Sequence, residues 1–155
     1  MRITKAIAFA CTISIPALAP IGAFAGNTET LPIEDVVHKL AIDGYDAHSI
    51  FCRQGAICTA AVADSDNNLL IVAVNGKTGK IFQRAIFGHA VHADIQGKEI
   101  SGDAAVKSVL GQGKFKLVSM EYKSATFLVH VEDSASKAHV FQVDERDGSV
   151  MEVKN

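Results

Sequence analysis

The sequence predicts an α+β protein made of two tandem repeats, each one helix packed on an antiparallel sheet of three to four strands. Three observations lead there. First, VNGKTGKIFQ at 74–83 and VDERDGSVME at 143–152 each leave an apolar strand, turn at a glycine and re-enter an apolar residue. Second, sliding the chain along itself by 69 positions sets Gly44 on Gly113, Ala56 on Ala125, Val62 on Val131, Asp64 on Asp133, Val74 on Val143 and Gly79 on Gly148. Identity in that overlap is low, about eight positions in roughly fifty-six, but turns fall on turns and apolar runs on apolar runs. Third, each copy opens with a helical period and continues with strand-like alternation.

In the first copy Ile33, Val36, Val37, Leu40 and Ala41 recur at helical spacing, with Glu34, Asp35, His38 and Lys39 on the opposite side. Pro32 suits the first turn and Gly44 the stop. Strands are expected at 47–52, 57–63 and 69–74, separated by RQGA and DSDN, with a last strand at 80–85. In the second copy Ser101 is a natural N-cap and Asp103 favours the positive helix start. Ala105, Val106, Val109 and Leu110 form the apolar stripe, and 111–113 end it. Strands are expected at 116–122, 126–132 and 137–143, with a last one at 149–153. A four-residue turn at 133–136 would place Val140 opposite Val129 and Ala138 opposite Val131, on the helix side. Leu128, Phe141 and Val143, and in the first copy Leu70, Val72 and Val74, would then fill the other side. Strands apolar on both sides, in units of about 55 residues that are marginal alone, imply that the copies pack together or share a sheet.

The first 25 residues read as a signal peptide. Arg2 and Lys5 precede an apolar run over 6–24, broken by Pro16 and Pro20 and closing on Ala23-Phe24-Ala25. Cleavage after Ala25 is expected, followed by a first repeat at 26–87, a linker at 88–99 and a second repeat at 100–155. Location is then periplasmic or secreted. The whole chain carries −2, so losing Arg2 and Lys5 leaves about −4. That balance, with no basic patch and no Trp, excludes nucleic acid as a partner, and no second apolar run is long enough for a membrane.

The helix, then GYDAHSIFC, a hairpin and VNGKTGKIF, resembles the PepSY domain, whose usual end is Val-Asp-x-x-Thr-Gly-x-Ile. The matching residues are Gly44, Tyr45, Val74, Thr78, Gly79 and Ile81, then Gly113, Val143, Asp144, Gly148 and Val150. The resemblance covers 31–84 and, more loosely, 100–154. Asn75 stands where the family has Asp, and Asp147 where it has Thr. It implies an exported, non-enzymatic binding or inhibitory module without cofactors. Its partner would be an extracytoplasmic protein such as a protease.

Cys52 and Cys58 flank the first hairpin and are expected to form a disulfide, as an even cysteine count in an exported chain suggests. The stapled tip, Arg53, Gln54, Gly55 and Ala56, is a candidate partner-binding element because preorganisation lowers the ordering cost of binding. Two histidine pairs offer an alternative, a metal- or small-ligand-binding protein. His130 and His139 would be cross-strand neighbours under the four-residue turn. His89 and His92 would share a face only if helical, and neighbouring Val91 and the glycines argue for extended backbone. The plainer readings are a surface or interface pair for His130 and His139, and linker histidines for His89 and His92, where so few ligands without a supporting outer shell make weak evidence for a metal. Three motif fragments fail on context: Gly76-Lys77-Thr78 lacks the first glycine of a phosphate loop, Ser134-x-x-Lys137 straddles a hairpin, and Asp64, Asp66 and Asn67 lack a calcium loop's glycine and glutamate. No nucleophile–base set is visible, so an enzyme is not expected.

Overall fold

The structure is a computed structural model that describes residues 29–53, 57–89 and 100–154. The chain runs α1 (Ile33–Ile42), β1 (Asp46–Arg53), β2 (Ile57–Ala63), β3 (Asn68–Asn75), β4 (Ile81–His89), α2 (Gly102–Leu110), β5 (Phe115–Lys123), β6 (Thr126–Asp133), β7 (Ala138–Asp144) and β8 (Val150–Glu152). α1 buries Val36, Val37 and Leu40. Each fully buried side chain of this kind contributes about 2 kcal/mol. Glu34 and Asp35 sit in its first turn and Lys39 in its last, matching the helix dipole. Gly44, at φ +85°, closes it: Gly44 N–H donates to the Ala41 carbonyl and Tyr45 N–H to that of Leu40, so the last carbonyls are satisfied. α2 starts at Ser101, whose hydroxyl accepts from Ala104 N–H at 3.2 Å.

The expectation of two helix-on-sheet units is overturned. All eight strands form one antiparallel sheet, ordered β4-β3-β2-β1-β5-β6-β7-β8, and both helices lie on the same side of it. The join is β1 against β5, with Ile50 opposite Met120 and Phe51 opposite Ser119. Pairing these strands removes two exposed sheet edges at once. α1 reaches across the join to β5, and α2 reaches back to β1. A single core results, running from Leu70, Val72 and Val74 through Val62, Ala60 and Ile50 to Met120, Val129, Phe127, Phe141 and Val143. Elements in the two halves still start 69 residues apart, at 33 and 102, 46 and 115, 57 and 126, and 81 and 150. The β1·β5 pairs exchange under that same offset. The join therefore lies on a local two-fold relating the halves.

The repeated turns fold alike. Asp64 and Asp133 each accept two backbone N–H groups on Oδ1, from Asp66 and Asn68 and from Ala135 and Lys137. Asn67 and Ser136 take the left-handed position just before the returning strand. In the glycine turns Asn75 Oδ1 accepts from Lys77 and Thr78 N–H and Asp144 Oδ1 from Arg146 N–H, and the turns close through Gly79 and Gly148 at φ +70° and +71°. In the second hairpin Asp133 bonds Lys137 directly, so only Ser134, Ala135 and Ser136 form the loop. The loop is one residue shorter than the four-residue reading, and this moves every partner: Val129 faces Phe141 and Val131 faces His139. A one-residue shift exchanges the faces of a strand. Phe141 and Val143 accordingly lie with Leu70, Val72 and Val74 on the helix side, and only Leu128 of the six expected elsewhere is on the opposite face.

Candidate partner-binding face

Paired residues share a face, so the side of the sheet turned away from the helices can be read strand by strand. One cross-sheet row runs Gln83, Ala73, Thr59, Phe51, Ser119, His130 and Val140. Phe51 is the tall residue in this row, and its neighbours Thr59 and Ser119 are small. No described helix or strand covers this face. It leaves Phe51 57 %, Ile57 51 %, Ile71 39 % and Met151 62 % exposed. Where small side chains meet at the join, the surface dips into a depression of about 470 Å³ with Ser49, Thr59, Ala61 and Ser119 among its lining. Phe51, Ile71, Glu121 and His130 also line it, with Ile50 and Met120 at the join beneath. His130 Nε2 lies 4.0 Å from Glu121 Oε1, so the polar end of the depression holds one carboxylate beside one imidazole.

The cysteines form the expected disulfide, Cys52–Cys58, between directly opposed residues of β1 and β2 with Cα atoms 4.0 Å apart. Cys58 is buried on the helix side. Of the expected tip, Arg53 ends β1 as an exposed residue opposite Ile57. It extends the open face beside Phe51. Gln54, Gly55 and Ala56 lie outside the described residues.

His130 and His139 do not converge. His130 faces Val140 and His139 faces Val131, so these two imidazoles sit on opposite sides of the sheet. The shorter hairpin loop is the physical reason. His89 is the last residue of β4, where the backbone is extended, and His92 lies outside the described residues. His139 has a different role. Its Nδ1 is 2.7 Å from Glu152 Oε1 and its Nε2 is 3.2 Å from Asp133 Oδ2. The rings of Phe115 and Phe141 flank it. The Glu152 hydrogen bond first, and the Asp133 bond second, raise its pKa above 6.5. The bonds from Lys137 N–H and His139 lower that of Asp133. Each carboxylate takes a different ring nitrogen, so the protonated ring can donate to both at once. Among the described residues no three His, Cys, Asp or Glu side chains form a metal-holding group.

The exposed aromatic at the centre of the open face escaped the sequence reading, although a signal was there: Phe51 alternates with Ile50 and Cys52, which marks it as pointing away from the core. Phe82, Ile86 and Phe87 on β4 are exposed as well, and β4 runs to His89 where the sequence suggested a stop at 85.

No family model and no curated protein matches the chain. A solved crystal structure described as a putative lipoprotein from Clostridium difficile 630 is similar over 81 % of this chain and 93 % of that one, at 15 % identity and a TM-score of 0.40. A likeness at that level carries no argument about function.

Proposed function

We propose that this chain is an exported, non-enzymatic binding module that docks an extracytoplasmic protein on the open face of its sheet. A protease is the first partner class to test, by the resemblance to the PepSY domain. The observation that carries the reading is the apolar character of that face: Phe51, Ile57, Ile71 and Met151 stay exposed although the core on the other side is complete without them. Exposed apolar side chains gathered on one face mark interaction surfaces. A flat, strand-borne surface is also rigid, so little is lost in ordering it on contact. The Cys52–Cys58 disulfide and the Ala23-Phe24-Ala25 signal support an oxidising, extracytoplasmic setting. The metal-binding alternative on His130 and His139 is not carried forward, because the register separates them.

The test is capture from a native envelope extract on immobilised residues 26–155, run beside Phe51→Asp. The expected result is a partner retained at stoichiometric level by the wild type and lost with Phe51→Asp, whose circular dichroism stays unchanged. Equal retention by both proteins removes the open face from the reading. A catalytic activity in the purified chain itself removes the non-enzymatic part.

A further inference from the structure

We propose that β4 is a self-association edge, at which two copies of this chain join antiparallel about Ala85 and continue one sheet through the other. β4 closes one end of the sheet with nine residues, and no described strand lies beyond it. The opposite edge, β8, has three. The two strands start at corresponding positions, 81 and 150, so 84–89 is the part of β4 without a counterpart. That extension carries Ile86 and Phe87, 73 % and 78 % exposed, and Phe82 just before it is 57 % exposed. A long edge strand with exposed apolar side chains is a template for another strand.

The usual guards of an edge are weak here. Two bulges interrupt the register with β3, at Phe87 between the Leu69–Gly88 and Leu70–Ile86 pairs, and at Phe82 between the Ala73–Gln83 and Val74–Ile81 pairs. Both inserted residues are aromatic rather than charged, and 83–86 between them stays in regular register. Arg84 is the only charged residue from 81 to 88, and its guanidinium donates to Tyr45 Oη at 3.2 Å, toward the body of the protein.

A second copy fits this edge for two reasons. The outer backbone groups of an antiparallel edge repeat the same donor–acceptor alternation when the strand is reversed, so β4 is its own complement. The arrangement is also continuous with the chain's own construction, in which β1 and β5 join two four-stranded halves edge to edge. An axis normal to the sheet keeps the two faces in common, so it falls on a residue. Arg84 opposite Arg84 would oppose like charges. Ala85 opposite Ala85 sets Arg84 beside Ile86 of the second copy, and Gln83 beside its Phe87. A nine-residue strand is roughly 30 Å long, which places the contact at the small end of specific interfaces and makes the association concentration-dependent.

Sedimentation equilibrium of residues 26–155, loaded from about 5 to about 500 µM, tests this. The expected result is a monomer–dimer equilibrium that Ile86→Lys with Phe87→Lys shifts to monomer, by at least tenfold in the dissociation constant. Ala85→Cys is expected to form a disulfide-linked dimer on oxidation, and Asp66→Cys at the far β2–β3 turn is not. Phe51→Asp, on the open face, leaves the dimer intact, so this result is separable from the partner-binding reading. A monomer at every concentration overturns the proposal. So does a dimer lost with Phe51→Asp and kept with the two lysines.

Discussion

His139 and Glu152 meet through a 2.7 Å contact that ties the β7 imidazole to the last strand of the sheet. Asp133 holds the other ring nitrogen from the β6–β7 turn. The ring binds its proton more tightly folded than unfolded, because both hydrogen bonds raise its pKa above 6.5. Between 6.5 and that raised value the native state carries more protons, so stability falls as pH rises through the window. Asp133 has the opposite sign: its pKa is lowered below 3.8, and its contribution is lost only as pH falls through the folded value. The cluster is thus fully stabilising from about pH 4 to about pH 6.5. An NMR titration of His139 is expected to give a midpoint above 6.5, and Glu152→Gln to lower it. A wild-type midpoint at or below 6.5 contradicts the geometry.

The disulfide closes a short loop around the first hairpin, its cysteines six positions apart. In the chain-entropy model such a loop contributes about 2 kcal/mol. Cys52→Ala with Cys58→Ala is expected to lower Tm by about 5–10 °C while leaving the far-ultraviolet spectrum unchanged, since the strands on both sides remain paired. Alanine is the replacement to use because Cys58 is buried and a serine hydroxyl there would lack a partner. Calorimetry of the oxidised wild type and the double variant gives the number.

Gly102 begins α2 in contact with β1. Its N–H donates to Asp46 Oδ1 at 2.8 Å, and a Cβ at this position would run into the Ala47 carbonyl oxygen. That oxygen is part of the strand backbone and has no flexible end to move aside. Gly102→Ala is expected to cost about 3 kcal/mol, at the upper end of overpacking changes. Gly44→Ala is the contrast, with open space around its Cβ position but a left-handed backbone. It is expected to cost about 1 kcal/mol. Urea unfolding of both variants checks the order, and equal costs would show that α2 can lift away from β1.

Local signals in the sequence carried most of the elements. The helical stripe of Val36, Val37 and Leu40, the Ser101 cap and the glycine turns at Gly79 and Gly148 each follow from a few neighbouring residues, and the structure has all of them. The faces of β3 and β7 did not follow, because they depend on a count of one in the loops after Asp64 and Asp133. What fixes that count is a side chain reaching back to the Lys137 N–H and a left-handed Ser136, neither of which composition reveals. The union of two units into one sheet rests on the Ile50–Met120 and Phe51–Ser119 pairs, about seventy positions apart, and no pattern within one half can encode them. The open face was half legible. Strands apolar on both sides indicated a second surface, but the wrong register assigned it to Phe141 and Val143 instead of Phe51 and Ile71.

The β1·β5 join also sets an order of events when the chain is made. Every other neighbouring strand pair links segments consecutive in the chain, and such hairpins close in microseconds. β1 must wait for β5, because Ile50 and Met120 are 70 positions apart. Until β5 is in place, Ile50 and Phe51 stand on an unpaired strand edge. That interval is when this chain is most open to mispairing with another nascent copy, and a holdase that covers β1 would act then.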